Sequence, residues 1–490
     1  MDKPNILLIT ADQLRRDAIG VYGNDIVQTP NIDSLASGGV IFENHFIQNP
    51  LCMPSRWSIL TGRYPKNHGV RDNGVIFNSD ETTLARVLKD EGYDTTAIGK
   101  MHLTPRLVCK EEEDENWPDD DFGFSSKCLT DDAKTGGYLD YLKKLDKKVY
   151  DYVLKQGKEK VDEDLSKLSQ RQFDIAPQLK ENLIPYELHQ SSWIADRTIE
   201  YLEDPTDSPF FMWCSFVDPH HPFDPLHPDD SMYKIEDIDL PVRRKNEFDD
   251  KPGFFKEMHM GLSPGNEKYD LSKITDPGWK TLISKYWGMV SLIDYNVGRI
   301  IKKLEKVNKL DNTIIIFTAD HGELLGDHGL LFKGPFHYDS LIHIPMIMKF
   351  GKALSDNKNE KNISGLTRHI DIMPTILDYT GIMAPDGVQG RSLRSNISGK
   401  STKYSDYVLI DHNTGDWGLN VKTLRSKEFR MTYYAGKDYG ELYDLKKDPN
   451  ELYNLWDDNN YKKIREDLIK ILLDTLIETE DIKNPRLSRY

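Results

Sequence analysis

Three uninterrupted apolar runs constrain this chain more than any other feature: Asn5 to Thr10, Phe210 to Phe216, and Asn312 to Thr318 with its core Ile314-Ile315-Ile316-Phe317. None alternates with polar residues, and all are of strand length, so they read as strands covered on both faces, the pattern of a parallel sheet flanked by helices. Each delivers polar groups at its carboxyl end: Asp12-Gln13 after the first, His220-His221 after the second, and Asp320-His321 after the third. In open α/β sheets that edge is where ligands bind, so an acid there carries more weight than an acid in a loop, although Asp12 on local grounds is equally well a helix cap. Tyr286, Met289, Val290, Ile293, Val297, Ile300, Ile301 and Leu304 recur at helical spacing and give a long helix to cover the sheet.

The stretch Cys52-Met53-Pro54-Ser55-Arg56-Trp57-Ser58-Ile59-Leu60-Thr61-Gly62-Arg63 predicts a short helix from Pro54 to Leu60, with proline in the first turn and glycine past the end. Cys52 then lies just outside the N-terminus, where free amides and the helix dipole favour an anion, and Arg56 points the same way. A thiol so placed is acidic and reactive, whereas a lone cysteine elsewhere is a small buried hydrophobe. Further on, the strand Asp94 to Ile98 ends in Gly99-Lys100-Met101-His102-Leu103, and a Lys and a His two apart on an extended segment face the same side.

Cys-x-Pro-Ser-Arg followed by Leu-Thr-Gly-Arg resembles the signature of the type I, formylglycine-dependent sulfatases of the alkaline phosphatase superfamily. The resemblance extends to Gly-Lys-x-His-Leu at Lys100 and His102, Pro-His-x-Pro at His220, Gly326 to Pro335 with Lys333, and Leu442-Tyr443-Asp444-Leu445. It implies an α/β fold with a large mixed, mostly parallel sheet flanked by helices, and a smaller C-terminal α+β subdomain with an antiparallel sheet. It also implies that a maturation enzyme oxidises Cys52 to formylglycine, whose hydrated diol attacks the sulfur of a small-molecule or carbohydrate sulfate ester. One divalent cation, Ca²⁺ before Mn²⁺ or Mg²⁺, is expected on Asp12, Gln13, Asp320 and His321, with His321 either a ligand or a contact of the nucleophile. The family commonly has Asp-Asp where this chain has Asp12-Gln13, so the site carries one negative charge fewer. Lys100 and Lys333 are expected to hold the sulfuryl oxygens, Arg56 to neutralise residue 52 and its surroundings, His220 to protonate the leaving oxygen, and His102 to accept a proton from the diol.

Length and composition set the remaining expectations. At 490 residues the chain exceeds one small core, and the expected division is a catalytic domain over 1–395 and a C-terminal subdomain over 396–490. The latter has strand candidates at Tyr407 to Ile410, Val421 to Arg425, Phe429 to Tyr434 and Glu441 to Asp444, then a helix from Tyr461 to Thr479. A formal charge of −16 argues against nucleic acid as partner. No apolar run reaches the length of a signal core or membrane span, and four cysteines without metal-finger spacing fit a reducing compartment, so the expected location is the cytoplasm. Cys109 to about Lys180 reads as excursion loops with a surface helix, and Asp230 to Lys273 as a long loop. A phosphonate monoester or phosphodiester hydrolase of the same superfamily is the rival reading, because Asp12-Gln13 with Asp320-His321 resembles the metal set of that branch. A non-catalytic anion-binding relative is the third.

Overall fold

A computed structural model describes residues 3–77, 81–105, 121–162, 182–203, 208–226, 228–262, 269–354 and 361–481. The three apolar runs are β1 (Asn5–Ala11), β5 (Phe210–Phe216) and β6 (Thr313–Ala319), and every residue in them is buried. β5 and β6 flank β1 in parallel, with Ala11 level with Phe216 on one side and Ala319 on the other. Their carboxyl ends therefore open on one edge.

Six further strands complete the sheet: β2 (Val40–Phe46), β3 (Asp94–Gly99), β4 (Ser126–Leu129), β7 (His343–Ile344), β8 (Met346–Phe350) and β9 (Asn362–Arg368). The order is β4-β3-β5-β1-β6-β8-β2-β7, with β9 also on β2. β8 runs antiparallel to β6 and β2, and β7 antiparallel to β2, which makes the sheet mixed but mostly parallel. Alternate residues of β1 feed the two faces. Leu7 and Ile9 pack with Met289, Ile293 and Val297 of the long helix Asp276–Lys306. Ile6 and Leu8 pack with Trp57 and Leu60 of the helix Cys52–Thr61 and with Ile376. Fully burying each such side chain contributes about 1.5–3 kcal/mol, so the strand that carries Asp12 is among the best anchored in the molecule.

The C-terminal strands form a separate antiparallel meander, β10 (Val408–Thr414), β11 (Leu419–Arg425), β12 (Phe429–Tyr434) and β13 (Gly440–Asp444), followed by the helix Lys462–Glu478. β10 alternates as a strand between two layers must: Val408 and Ile410 enter the core of the large sheet, while Leu409 meets Leu468 and Leu472 of the last helix.

The reading of Asp230 to Lys273 as a long loop is corrected by the structure. A helix, Gly253–His259, buries Phe254, Phe255 and Met258 against Phe336, Val421 and Tyr443, with 3₁₀ turns before it. Its Pro- and Gly-rich surroundings hide apolar positions four apart, which are enough for one short helix once a second layer covers them. Between Cys109 and Lys180, β4 and the helices Gly137–Leu145 and Lys147–Asp162 account for the described part, and the acid run at 111–115 lies outside the described residues. No helix among the described residues is long and apolar enough to cross a membrane.

Candidate active site

Because β1 and β6 are neighbours in register, Asp12 and Asp320 leave the sheet side by side, both fully buried. The chain turns at once after Asp12: Gln13 has φ 68°, a left-handed conformation that L-residues other than glycine adopt only where contacts enforce it. The Gln13 N–H donates to Asp320 Oδ1 at 3.0 Å, and the Tyr286 hydroxyl donates to the Gln13 carbonyl at 2.6 Å. At its other end the Gln13 amide donates through Nε2 to Glu323 and accepts from Lys333 Nζ through Oε1 at 2.8 Å. The Leu325 and Phe332 amides fix the other oxygen of Glu323. A carboxylate accepts only, so Glu323 turns the NH₂ of Gln13 toward itself and the carbonyl toward Lys333. Glu323 has no assigned role in the sequence reading. Its spacing of three from Asp320 is a signal only in retrospect.

Cys52 is the first residue of its helix, with Leu51 as N-cap, two residues earlier than the proline suggests; Gly62, φ 63°, closes the helix as expected. The sulfur is 3.2 Å from His321 Nε2, 3.2 Å from Lys333 Nζ and 3.7 Å from Asp12 Oδ1. Burial and Asp12 push the thiol pKa up, but Lys333, Lys100 and His321 outweigh them and hold it well below its ordinary value. The acidity is as expected, and its principal cause is these side chains. Arg56, also expected to neutralise residue 52, is committed mainly to Asp320: Nε donates to Asp320 Oδ2 at 2.8 Å, Nη1 to the Lys100 carbonyl and Ser215 Oγ, and Nη2 lies 3.7 Å from Asp12. Its first effect is to fix Asp320.

The expectation that Lys100 and His102 share a side of an extended segment is also corrected. β3 ends at Gly99, where φ is 92° and an added Cβ would lie 2.0 Å from the Ser215 carbonyl, so the chain must leave the strand there. His102 has φ 47°, and alternation does not apply. Lys100 is buried on Asp12 with Asp132 at 3.7 Å; burial disfavours its charge, but Asp12 more than restores it. His102 is half-buried, and its Nδ1 has no hydrogen-bond partner among the described residues.

His220 directs Nδ1 at the His221 carbonyl, 2.7 Å away, and stacks on the His221 ring at 4.1 Å. Burial, then Lys333, His221 and Lys100, hold His220 well below the usual imidazole pKa. His221, to which the Pro-His-x-Pro motif assigns no role, also reaches the site: its Nδ1 accepts from Gln13 Nε2 at 3.3 Å. Lys333 is half-buried; desolvation disfavours its charge, but residue 52 and Asp12 keep it charged.

One ligand atom each from Asp12, Cys52, Asp320 and His321 lie within 4.8 Å of one another, a cage of the right size for a single ion. Burial alone would raise the Asp12 pKa, but Lys100, His220, Lys333 and Arg56 hold it far below the carboxylate range, so the cage keeps a negative charge. His321 Nδ1 faces the Gly322 carbonyl at 2.8 Å, which leaves Nε2 directed at Cys52 and Asp12. Burial opposes its protonation, but Asp320 and residue 52 prevail and raise its pKa, so the chain's own charges favour the imidazolium; a cation in the cage would take the Nε2 lone pair of the neutral ring, with Nδ1–H kept on Gly322. Gln13 borders this cage with its carbonyl engaged by Lys333. From Lys333 a cleft of about 860 Å³ opens between residues 71–75 and the β10–β11 turn.

Residues 4–382 match the family model of the sulfatases, and residues 326–478 match that of the N-sulphoglucosamine sulphohydrolase C-terminal region. An arylsulfatase of Clostridium perfringens is 32% identical over 98% of this chain and 95% of its own length. An N-acetylglucosamine-6-O-sulfatase of Bacteroides thetaiotaomicron is 26% identical over 98% of this chain and 87% of its own length. Among solved structures, the phosphonate monoester hydrolase of Agrobacterium radiobacter superposes with a TM-score of 0.81 at 25% identity, covering 99% of this chain and 98% of that one. With a cysteine, two carboxylates, two lysines and a histidine converging at the sheet edge, and with matches that span the chain, this protein belongs to the sulfatase family of the alkaline phosphatase superfamily and is a sulfate-ester hydrolase.

Proposed function

We propose that the enzyme hydrolyses the sulfate ester of a sugar, with residue 52 matured to formylglycine by a modifying enzyme and one divalent cation, Ca²⁺ before Mn²⁺ or Mg²⁺, held by Asp12, Asp320 and His321 with Gln13 at the border. The observation that carries this reading is the convergence of Lys333 and His321 on the Cys52 sulfur, each at 3.2 Å, beside the buried Asp12. A formylglycine at residue 52 would supply a hydrated aldehyde oxygen as nucleophile, and a cation held by Asp12, Asp320 and His321 would make that oxygen more acidic.

The other parts fall to the chain's own side chains. Lys100 and Lys333 remain ammonium ions in a buried site and meet the sulfuryl oxygens, where charge grows in the transition state. Arg56 holds Asp320 in place, and Glu323 holds Gln13. His220 is neutral at rest with Nδ1 on a backbone carbonyl; an anionic ester arriving beside it raises its affinity for a proton, which it then gives to the leaving oxygen from Nε2. His102 is the candidate to accept the proton that must leave residue 52 before sulfate departs. The two relatives named above, one acting on aryl sulfates and one on N-acetylglucosamine 6-sulfate, support this ester class, and the second supports a sugar alcohol.

A phosphonate monoester hydrolase is the second reading, favoured by the neutral Gln13 and by the likeness to the Agrobacterium radiobacter enzyme. Mass spectrometry of the peptide that holds residue 52 is expected to give an aldehyde in place of the thiol. Fully active protein with an unmodified thiol would overturn the formylglycine assignment. Rates on 4-nitrophenyl sulfate above those on 4-nitrophenyl phenylphosphonate are expected, and the reverse order would favour the second reading.

A further inference from the structure

Ser55 lies one turn after Cys52 on the helix Cys52–Thr61, and residues three apart share a helix face. His369 opens the 3₁₀ turn His369–Asp371 that follows β9, far along the chain. Both side chains are 0% exposed, and they meet behind the cage. The Ser55 hydroxyl donates to the Asp320 carbonyl at 2.5 Å, and its oxygen lies 3.0 Å from His369 Nδ1. A hydroxyl has one proton; since the carbonyl takes it, His369 must donate from Nδ1 and Ser55 accept. Burial lowers the His369 pKa to about 3, which leaves a neutral ring with its proton on Nδ1. His369 therefore sets the direction of the Ser55 hydroxyl. Without that donor the hydroxyl can turn onto a carbonyl of its own helix, as helical serines do.

The turn that carries His369 is itself fixed. Arg368 Nη2 donates to Asp371 Oδ1 at 2.7 Å, the Arg391 amide donates to the same oxygen at 2.9 Å, and the Ile370 amide donates to Gln48 Oε1 at 3.1 Å. His45, on β2, packs its ring against His369 with centroids 5.2 Å apart. The helix that bears residue 52 and the strand end that bears Asp320 are thus joined twice, by Arg56 through the Asp320 carboxylate and by Ser55 through the Asp320 main chain. The carboxylate has further donors in the Gln13 and His321 amides, at 3.0 and 2.9 Å. Loss of the Ser55 contact would leave that carboxylate held but release the first turn of the helix, and with it residue 52.

We propose that Ser55 and His369 are positioning residues for hydrolysis: His369 aims the Ser55 hydroxyl at the Asp320 carbonyl, and this contact sets residue 52 against the cation cage and Lys333. The proposal rests on the sulfatase reading only in taking residue 52 as the nucleophile, a role that the phosphonate reading shares.

Each variant is matured, its formylglycine fraction is measured by mass spectrometry, and kcat per matured molecule is read on 4-nitrophenyl sulfate and 4-nitrophenyl phenylphosphonate. Ser55→Ala and His369→Phe are each expected to lower kcat by about 10-fold or more on the better ester, with KM within about threefold, since a displaced nucleophile loses rate before it loses binding. His369→Asn, whose amide can donate from the place of Nδ1, is expected to recover much of that rate. The double variant Ser55→Ala with His369→Phe is expected to match Ser55→Ala alone within about twofold, because the histidine acts through the hydroxyl. Calorimetric titration of Ca²⁺ into Ser55→Ala is expected to give an affinity within about threefold of wild type, a readout independent of turnover. Thermal melts establish that each variant is folded, and Ser55→Ala carries the test if His369→Phe does not fold. A kcat within about twofold of wild type in Ser55→Ala overturns the proposal. So do losses that multiply in the double variant, or a His369→Asn no faster than His369→Phe, since packing alone would give either. A loss of Ca²⁺ affinity as large as the loss of kcat also overturns it, by assigning the pair to the metal ligand. Wild type faster on the phosphonate would count against the sulfatase reading, and the same ratios on that ester would still decide the proposal.

Discussion

Two of the buried charge clusters among the described residues are built on opposite terms. In the C-terminal sheet, Arg430 donates to Glu451, to Glu441 at 3.3 Å and to Thr432 at 3.0 Å, and lies between the rings of Tyr443 and Tyr338 at 4.4 and 4.9 Å. Glu441 accepts from the Tyr434 and Tyr443 hydroxyls, and Glu451 from the Asp339 amide. The principal hydrogen-bonding capacity of the Arg430 cluster is spent internally. At the edge of the large sheet, Lys100, Lys333 and Arg56 crowd around Asp12, Asp320 and residue 52, while Arg56 Nη2 and His102 Nδ1 have no hydrogen-bond partner among the described residues. A closed cluster fixes structure; an open one keeps donors and charge for something that is not part of the chain. The difference separates structural from catalytic electrostatics here better than burial does, since Arg56 and Arg430 are both 0% exposed.

The largest expected effect lies on the open side. Cys52→Ala is expected to reduce turnover by on the order of 10⁴-fold or more while shifting the melting temperature by no more than ~3 °C, because the residue serves chemistry and not the fold. Retained activity would break the assignment. On the closed side the balance is reversed: Arg430→Met leaves Glu441 and Glu451 buried without their cation, and urea unfolding is expected to register a loss of about 3–5 kcal/mol with kcat/KM of the folded fraction little changed. A loss below about 1 kcal/mol would show that the cluster is not the structural device described here.

Most of the open site was legible from residues because strand ends announce themselves. β1, β5 and β6 are unbroken apolar runs, and Asp12, His220 and Asp320 follow them directly. Cys52 and Lys333 were found through their motifs, and the acidity of the thiol was foreseen with a different principal cause. What sequence could not supply was pairing across long separations. That Arg56 takes Asp320, that Glu323 orients Gln13, and that His221 joins His220 are facts of side-chain packing between segments up to 310 residues apart. The Lys100 and His102 geometry failed because alternation was extended past Gly99, where the strand has already ended. The helix Gly253–His259 was hidden by its composition, and its apolar side became readable only with the C-terminal sheet against it.

A medium effect should sharpen the role of Gln13. Replacing it with Asp adds charge beside the cage, but it also removes the amide that donates to Glu323 and sets one carboxylate toward another. Gln13→Asp alone is therefore expected to tighten Ca²⁺ only weakly, whereas Gln13→Asp with Glu323→Gln tightens it further, with a coupling of about 1–2 kcal/mol between the two changes in calorimetric titration. Strict additivity would mean that Glu323 does not govern residue 13.

The smallest effect concerns the loop that delivers His220. Asp218 is buried, and that burial raises its pKa to about 7; the Ser191 hydroxyl, 2.6 Å from Oδ2, pulls it down, and Asp224 pushes it up. A folded pKa above the unfolded one means that the native state holds the proton more tightly. The resulting stability is fully present below about pH 4, declines as pH rises toward 7, and is gone above that, with a limiting slope of about 1.4 kcal/mol per pH unit for one proton. His189, 3.9 Å away and lowered to about 3 by burial, contributes in the opposite sense, because its neutral folded form loses stability as pH falls below its unfolded value. Comparing wild type with Asp218→Asn removes that term, since the amide keeps an acceptor for Ser191 but cannot titrate. Relative to wild type, Asp218→Asn should gain stability steadily between pH 4 and 7, by about 1–2 kcal/mol in total once solvent relaxation is allowed for, and then run parallel above pH 7.5. Urea midpoints across that range measure it. A constant difference at every pH would show that Asp218 is ionised throughout, and would place this loop with the closed cluster, its charge met entirely by partners within the fold.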